Sequence, residues 1–410
     1  MLNKKKIIND PIYGFVTIPS DLIFDLIEHS CFQRLRYIKQ LSLTHLVYPG
    51  ALHTRFQHAI GAMHLMTRAL AILEGKGIEI SKEEKEGVLA AMLLHDIGHG
   101  PFSHSLEHTL IEDVSHEILS SILMDKLNTE FEGKLTLAIS IFTDQYPRRF
   151  LHKLVASHLD TDRMDYLIRD SFYTGVSEGV ISFDRIIKML NVVDDNIVLE
   201  SKGIYSVENF LIARRLMYWQ VYFHKTVISG EQMLIKALKR AKYLALKGEE
   251  LFATPPLAHF LTQKITHENF LKEEKHLEFF TQLDDMDIMS GIKVWAHHPD
   301  FVLSELCRRI MERDLYKTDI RDEPIAEKEW KELGEKIQKK YQIGEEELEY
   351  FLIGHTIENS AYDTTLDKIK ILYKDGSLED IATASDLSNL ESLTKRVKKY
   401  TVSYPKEISI

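Results

Sequence analysis

An adjacent histidine and aspartate, His95-Asp96, follow an apolar stretch of the chain and precede a glycine-rich segment. One imidazole nitrogen and one carboxylate oxygen can bind Mg²⁺, Mn²⁺, Fe²⁺, Zn²⁺ or Ni²⁺, so the pair indicates a metal site without identifying the ion. Two further residues strengthen this interpretation, because His58 lies one predicted helix upstream and Asp162 lies on a predicted helix downstream.

Further ionisable residues surround these four. Arg55 precedes His58 by three residues and shares its helix face. Tyr166 and Asp170 follow Asp162 at spacings of four and eight, which predicts a polar stripe on an otherwise apolar helix. Burying so many ionisable groups near an apolar helix end is costly without a metal or a polar ligand. The sequence therefore predicts a site for one divalent metal ion, with the ligands His58, His95, Asp96 and Asp162.

Other polar residues in the same stretches have a simpler interpretation. His53 fits a structural role and a functional role equally well. Asp160 and Asp165 are expected to face solvent or to form structural ion pairs.

A zinc protease is an alternative for this region, because residues 95–99 (HDIGH) resemble the H-E-x-x-H motif with Asp in place of Glu. We disfavour it, since Asp is one methylene shorter than the usual general base. Gly98 and Gly100 also break the helix where the second ligand would need a firm position.

Composition narrows the class of protein. The chain has 410 residues, of which 44% are hydrophobic, and this is ample for a buried core. Its net charge of −11 argues against binding of nucleic acid, because proteins that hold phosphate backbones are usually basic. The two cysteines, Cys31 and Cys307, form no metal-binding motif, which favours a reducing compartment.

Targeting signals are not evident in the sequence. The first residues, MLNKKKIIND, lack the apolar core of a signal peptide. No apolar run approaches the about 20 residues that a membrane-spanning helix needs. We therefore expect a soluble, cytoplasmic protein with no membrane partner.

Hydrophobic periodicity predicts a mostly α fold. Residues 1–320 read as a helical core, with the metal-ligand motifs at 53–170 and an aromatic-rich helix at 207–228. Residues 321–410 change composition and predict a small α+β region. One short hairpin is predicted at 191–206.

Several local signals support these elements. Ser81 followed by Glu84 predicts a capping box at a helix N-terminus. Asp195-Asn196 is expected at the turn of the first hairpin, and Asp375-Gly376 at the turn of another.

Longer motifs resemble one known family. The pattern His58, His95-Asp96, Asp162 is similar to the signature of the HD-domain phosphohydrolases. The segments INDPIYGFVTI, FQRLRYIKQL, YPGALHTRFQHAIG, HDIGHGPFSH and DTDRMDYLIRD resemble its dNTP triphosphohydrolase branch, which includes the human SAM-and-HD-domain dNTPase and bacterial relatives. The resemblance implies an HD-domain helical core with short β-hairpins and a small C-terminal α+β region. It also implies metal-dependent hydrolysis of a dNTP to a deoxynucleoside and inorganic triphosphate.

The resemblance assigns roles near the reacting phosphate. His104 resembles the residue that protonates the departing 5′-oxygen, a task that suits a group with a near-neutral pKa. His116 and Glu117 resemble the pair that supports it. His99 and Arg55 resemble groups that contact the phosphates.

The resemblance also assigns a substrate pocket. Gln40 and Asp170 resemble groups that bind the sugar 3′-hydroxyl. Tyr222 would pack against C2′ and exclude a ribose 2′-hydroxyl, with Leu41 beside the sugar. The residues that would hold the phosphate chain are Arg55, Arg163, Tyr166 and Arg214. Arg163 stands where the family has a Lys, and the two are not equivalent in a phosphate clamp.

A regulatory nucleotide site is implied as well. In the family, such sites lie at subunit contacts, so a homo-oligomer (dimer or tetramer) and activation by GTP, dGTP or another dNTP are expected. The matching residues are Lys6, Asn9, Gln33, Arg36, Arg185, Lys202, Arg313 and Lys317. Glu28 stands where the family has an Asp that reads guanine, which leaves the activator undetermined.

Two alternatives stay open. An HD phosphohydrolase could act on another nucleotide phosphoester, such as a monophosphate or a cyclic nucleotide. A nucleotide-sensing oligomer without catalysis could retain the fold. Complete metal ligands together with His104 argue against the sensor, because sensing needs no proton donor.

Overall fold

Helices dominate the computed structural model, which describes residues 6–103, 109–111, 114–360, 362, 368–386 and 394–408. The helices are α1 (Asp21–Glu28), α2 (Ser30–Gln33), α3 (Arg55–Gly75), α4 (Lys82–Leu94), α5 (His116–Glu130), α6 (Thr136–Phe142), α7 (Arg149–Val155), α8 (Thr161–Thr174), α9 (Phe183–Met189), α10 (Ile204–Met217), α11 (Lys225–Leu246), α12 (Pro255–Leu261), α13 (His267–Lys272), α14 (Glu274–Phe280), α15 (Asp285–Trp295), α16 (Phe301–Glu312), α17 (Glu327–Tyr341), α18 (Glu345–Leu348) and α19 (Ile381–Ala384). The predicted mostly α fold is confirmed. Within the described ranges, every helix is too short or too polar to cross a membrane.

The strands form three small sheets. They are β1 (Ile7–Asp10), β2 (Gly14–Thr17), β3 (Leu190–Val193), β4 (Asn196–Glu200), β5 (Lys317–Arg321), β6 (Ile353–Asn359), β7 (Lys370–Leu372), β8 (Leu378–Asp380) and β9 (Val397–Tyr404). The orders are β1-β2, β3-β4-β7-β8 and β5-β9-β6. All pairs are antiparallel except β4 with β7.

Helices α3 and α4 start where the sequence contains capping signals. The Ser81 hydroxyl accepts the Glu84 N–H at 3.1 Å, and the Glu84 carboxylate accepts the Ser81 N–H at 2.8 Å, as predicted. Thr54 caps α3, and its N–H donates to the side chain of Gln57 at 2.9 Å. These caps determine where both metal-motif helices begin.

A glycine lets α3 and α8 approach closely. A Cβ atom at Gly61 would lie 2.0 Å from the Asp165 carboxylate and 2.2 Å from the Arg169 guanidinium, so only glycine fits there. Gly61 lies three residues after His58 on the same helix, which brings the polar face of α8 under that histidine.

The aromatic-rich segment differs from its prediction as a single helix over 207–228. Helix α10 ends at Met217, and a π-helical turn at Tyr218–Tyr222 separates it from α11. Periodicity does not show the interruption, because the aromatic residues satisfy an apolar helical pattern throughout. The turn packs the rings of Tyr218 and Tyr222 edge to face at 5.0 Å.

Strands from the predicted helical core and from the predicted C-terminal region pair within the same sheets. Strand β5 spans that position and pairs with β9, and β7 pairs with β4 of the helical core. The first hairpin is confirmed, but its turn residues are Asp194 and Asp195, one position earlier than predicted. Both have positive φ, as a two-residue hairpin turn requires.

The N-terminal segment is more broken than its helical pattern indicates. Residues 20–40 divide into α1, α2 and a 3₁₀ turn at Arg34–Tyr37. An extended piece then follows, in which Lys39 bridges to Thr54 before α3. This bridge places the piece beside the start of α3 and hence beside the metal motif.

Candidate active site

Three predicted metal ligands converge at one point. The Nε2 atoms of His58 and His95 lie 3.0 and 3.4 Å from Oδ1 of Asp162. The two Nε2 atoms are 3.4 Å apart, and one ligand atom from each residue lies within 4.8 Å of the others. Asp96 adds a carboxylate oxygen 3.4 Å from the same atom of His95. Two imidazoles and two carboxylates fit a divalent metal ion.

The helices place these ligands at their ends or on buried faces. His58 lies in the first turns of α3, and His95-Asp96 directly follow α4. Asp162 lies in the first turn of α8, because the side chain of Asp160 caps that helix by accepting the Arg163 N–H at 2.7 Å. Asp160 also forms an ion pair with Arg163 at 2.6 Å, which confirms its structural role.

Electrostatics in the cluster favour a bound cation. Burial alone lowers the pKa of His58, but the hydrogen bonds that His58 donates to the carboxylates of Asp162 and Asp165 outweigh burial and raise it to about 10. Burial raises the pKa of Asp162, and the hydrogen bonds from His58 and His95 outweigh burial and hold the pKa far below its usual range. The carboxylates therefore stabilise positive charge between them, which a metal ion can supply in place of a proton.

Asp165 contacts the predicted metal ligand His58, and no sequence pattern predicts this contact. Its carboxylate lies fully buried, 2.8 Å from Nδ1 of His58. Arg169 donates two hydrogen bonds to it at 2.8 and 2.9 Å, and also pairs with Asp10 at 2.9 Å. Asp165 thus orients the imidazole so that Nε2 points at the cluster. The expected ion pair exists, whereas a solvent-facing position is wrong.

Arg55 joins the cluster to the segment that follows it. Its guanidinium donates to the Asp96 carboxylate and to the Ser103 hydroxyl, the latter at 2.7 and 3.1 Å. Ser103 and its neighbour Phe102 both have positive φ, so this turn has an unusual backbone shape. His104 directly follows it and lies outside the described residues.

One cavity of about 550 Å³ opens beside the cluster. All seven predicted substrate-binding residues line it, together with Arg55 and Asp162. The seven are Gln40, Leu41, Arg163, Tyr166, Asp170, Arg214 and Tyr222. The lining thus combines three arginine side chains with other polar and aromatic groups.

A hydrogen-bonded trio includes two residues of the cavity lining, Asp170 and Tyr222. Asp170 accepts from the Tyr222 hydroxyl at 2.6 Å and lies 2.8 Å from Nε2 of His53. His53 is buried and stacks on Tyr173 at 4.5 Å, so it supports Asp170 from behind and is not itself part of the cavity lining. Burial first, and then the Asp170 charge, raise the pKa of Tyr222, so this phenol stays a donor. The side-chain oxygen of Gln40 is buried with no hydrogen-bond partner in the described part of the chain.

Comparison with known proteins identifies the family. Residues 55–172 match the HD domain, and residues 181–252 match the HD associated region. A crystal structure of a phosphohydrolase from Bacteroides thetaiotaomicron has a TM-score of 0.95 and 54% sequence identity, covering 98% of this chain and 100% of that one. The chain belongs to the HD-domain phosphohydrolase family.

Curated relatives of this HD-domain protein vary in how far they are characterised. The uncharacterized protein YwfO of Bacillus subtilis is 37% identical over 325 residues, which cover 77% of this chain and 72% of YwfO. The deoxynucleoside triphosphate triphosphohydrolase SAMHD1 homolog of Dictyostelium discoideum is 36% identical over 265 residues, 60% of this chain and 51% of that protein. The present chain therefore spans only about half the length of the Dictyostelium triphosphohydrolase homolog.

Two more predicted catalytic residues, His99 and His116, lie next to the cluster of predicted metal ligands. His99 is buried, its Nε2 atom lies 3.4 Å from Asp96, and its ring stacks on His116 at 3.8 Å. Burial, followed by the Arg55 charge, holds the pKa of His99 well below its usual range, so the ring is neutral. Glu117 points away, since 72% of its side chain is exposed and its oxygen is 3.9 Å from His116.

Residues outside the HD domain stabilise the segments around the cavity, and this was not evident from the sequence. Asp285, at the start of α15, accepts the N–H groups of Phe102 at 2.8 Å and Lys39 at 3.0 Å. Arg34 donates to the carbonyl oxygens of Leu283 and Ile97 at 3.2 and 2.8 Å. The start of α15 is thus tied to both segments that flank the cavity. No motif reveals this, because the partners are backbone groups more than 180 residues away.

The residues predicted to bind an activator each contact other residues of the chain. Arg36 donates to Gln33 at 2.7 Å and stacks over Phe56, and Lys6 lies 3.6 Å from Glu28. Arg185 donates to the backbone oxygen of Lys202 at 2.8 Å. Asn9 lies on β1 opposite Phe15. Arg313 donates to the Leu46 carbonyl at 2.7 Å, and Lys317 donates to the Tyr404 hydroxyl at 3.0 Å.

Proposed function

We propose that this HD phosphohydrolase hydrolyses deoxynucleoside triphosphates to deoxynucleosides and inorganic triphosphate, with one divalent metal ion. The observation that carries the proposal is that Asp162 of the metal cluster and the sugar-type residues Asp170 and Tyr222 line the same cavity. The named triphosphohydrolases among its relatives support this choice.

The phosphate end of the cavity suits a polyanion. Arg55, Arg163 and Arg214 all line it, and a guanidinium can donate two hydrogen bonds to one phosphate group. Arg163 keeps its charge in this buried place because burial, which lowers its pKa, is outweighed by Asp160. Three guanidinium groups favour a triphosphate over a single phosphate, since one phosphate cannot engage all of them.

The sugar end suits a deoxyribose. Gln40 has a buried oxygen without a partner in the described residues, so a 3′-hydroxyl can donate to it. The Tyr222 ring lines the cavity and its hydroxyl donates to Asp170, so the ring itself would clash with a ribose 2′-hydroxyl placed against it. The same fixed ring would pack well against the C2′ methylene of a deoxyribose.

The reaction breaks the bond between the α-phosphorus and the 5′-oxygen. A water oxygen forms a bond to the α-phosphorus, and the 5′-oxygen takes a proton as it leaves. When bound, the metal ion supplies Lewis-acid activation of water and of a phosphoryl oxygen. His58, His95, Asp96 and Asp162 would hold it, and His104, outside the described residues, is proposed as the proton donor. Arg55 neutralises charge that develops on the phosphoryl oxygens.

The two alternatives make different demands on this cavity. A monophosphate or cyclic substrate carries only one phosphate group, which cannot engage the guanidinium groups of Arg55, Arg163 and Arg214 together. A sensor needs no Asp165–His58 contact to orient a ligand, yet that contact is present at 2.8 Å. Both alternatives therefore account for fewer of the observed contacts.

Regulation by nucleotides is part of the proposal. GTP, dGTP or another dNTP would bind at Lys6, Gln33 and Arg36, would join subunits there, and would favour a dimer or tetramer. Mass measurement with and without GTP and dNTPs tests this separately from catalysis.

The assay for the function uses purified protein with Mn²⁺ or Mg²⁺ and each dNTP, alone and in mixtures with GTP. Release of inorganic triphosphate supports the proposal. Asp96→Ala should abolish release, and Asp300→Asn, a change at a helix cap outside the cavity, should preserve it. Release of pyrophosphate or single phosphate would support the other phosphohydrolase alternative, and no release from any mixture would refute the proposal.

A further inference from the structure

Helix α11 contributes part of the cavity wall. Val227, Glu231 and Ile235 line it at intervals of four residues, so they share one face of the helix. These three positions span about 12 Å along the helix axis, at 1.5 Å per residue. A single carboxylate therefore lies between two aliphatic side chains on this wall.

Among the described residues, the Glu231 carboxylate has no cation within ion-pair distance. Its side chain is partly buried in the cavity wall, and this burial raises its pKa to about 7. Burying a carboxylate without a cation costs free energy unless donors satisfy it. Such a group at a cavity wall indicates that a ligand supplies the missing donors.

Glu231 belongs to the part of the lining that the phosphate and sugar contacts do not use. With phosphates at Arg55 and Arg163, and the sugar at Asp170 and Tyr222, the lining residues that remain for the base include Glu231 and its neighbours on α11. Flanking aliphatic groups suit the faces of a planar ring, and a carboxylate suits its N–H edge.

We propose that Glu231 reads the nucleobase and favours guanine, an inference that rests on the proposed function because it takes a dNTP as the ligand. Guanine presents two adjacent N–H donors, N1–H and the 2-amino group, which match the two oxygens of a carboxylate. Adenine and cytosine offer only an exocyclic amine at that edge, and thymine offers only N3–H. Losing one of two hydrogen bonds to a charged acceptor is costly in a buried site.

Steady-state kinetics on the metal-loaded full chain test the inference. The wild-type kcat/KM for dGTP should exceed that for dATP, dCTP and dTTP by about tenfold or more. Deoxyinosine triphosphate, which lacks the 2-amino group, should fall between. Glu231→Gln keeps the size but turns one acceptor into a donor, so it should lower kcat/KM for dGTP by about tenfold more than kcat/KM for dTTP.

The control is Glu208→Gln, a buried glutamate of α10 that accepts from Ser385 and does not line the cavity. It should leave the base preference unchanged. Equal kcat/KM for all four dNTPs in the wild type, or an equal loss on all four in Glu231→Gln, would overturn the inference.

Binding of the four 2′-deoxynucleosides to the metal-free chain separates this inference from the reaction. Preferential binding of deoxyguanosine that Glu231→Gln abolishes supports the base assignment even if no dNTP is hydrolysed. That pairing of results would refute the proposed function alone. Equal binding of all four nucleosides would refute the base assignment whatever the turnover.

Discussion

Nδ1 of His58 lies 2.8 Å from Oδ2 of Asp165, and both side chains are fully buried. The contact leaves Nε2 of His58 facing Asp162 across 3.0 Å. A carboxylate behind a metal-binding histidine fixes the ring and raises its basicity. The orientation of this predicted metal ligand therefore depends on Asp165, which lies behind His58 and outside the ligand cluster.

Asp165→Asn should weaken metal binding by about 10- to 100-fold, because the imidazole loses its charged partner. Calorimetric titration of the chelator-treated protein with Mn²⁺ measures this. Asp300→Asn, which changes the same charge at the cap of α16, should bind Mn²⁺ as the wild type does. Unchanged affinity in folded Asp165→Asn would contradict the role.

Asp285→Asn should act on turnover without acting on the metal. It removes one acceptor from the two backbone N–H groups of Phe102 and Lys39, so the turn that carries Ser103 loosens. We expect kcat/KM to fall about tenfold with Mn²⁺ affinity unchanged. Asp284→Asn is the matched control, because Asn caps a helix as well as Asp does. Equal losses in both variants would show a general effect on α15.

Stability should depend on pH through Asp285. Burial raises its pKa to about 6, and the hydrogen bonds from Lys39 and Phe102 only partly offset this. Because the folded pKa lies above the unfolded value, this group contributes stability that is present below about pH 4 and is lost as pH rises through about 6. The loss amounts to about 3 kcal/mol.

Denaturant unfolding of the wild type and Asp285→Asn at several pH values measures this contribution. The variant should gain stability relative to the wild type between about pH 4 and pH 7, since it cannot ionise. A difference that stays constant with pH, or that changes in the opposite sense, would contradict the raised pKa.

Tyr222 should control the choice between deoxyribose and ribose. Tyr222→Ala removes the ring, so the ratio of kcat/KM for dATP to that for ATP should fall by about tenfold or more. Tyr222→Phe keeps the ring and loses only the hydrogen bond to Asp170, so the ratio should stay within about threefold of the wild type. The reverse order would show that the hydroxyl, and not the ring, discriminates.

The candidate site was largely predictable where side-chain type and local spacing carry the information. His58, His95 and Asp162 cluster as predicted, and the seven substrate residues line one cavity. Asp165 and Asp285 were missed for a physical reason. Their roles depend on which helix packs against which, and a carboxylate on a helix has the same local pattern whether it faces solvent or a buried imidazole.

The fold was predictable at the level of helices and hairpins, as the Ser81 capping box shows. Tertiary packing decided the rest. The π-helical turn at Tyr218–Tyr222 has no signature in an apolar pattern, and the parallel pairing of β4 with β7 joins strands far apart in the chain. Non-local contacts of this kind are not encoded in local periodicity.

The most direct test of the central claim is hydrolysis of a dNTP in water enriched in oxygen-18, with mass analysis of both products. Attack of water on the α-phosphorus predicts one labelled oxygen in the inorganic triphosphate and none in the deoxynucleoside. Activity should disappear on chelation and return with Mn²⁺. Label in the deoxynucleoside, or cleavage to a monophosphate and pyrophosphate, would contradict a site aimed at the bond between the α-phosphorus and the 5′-oxygen.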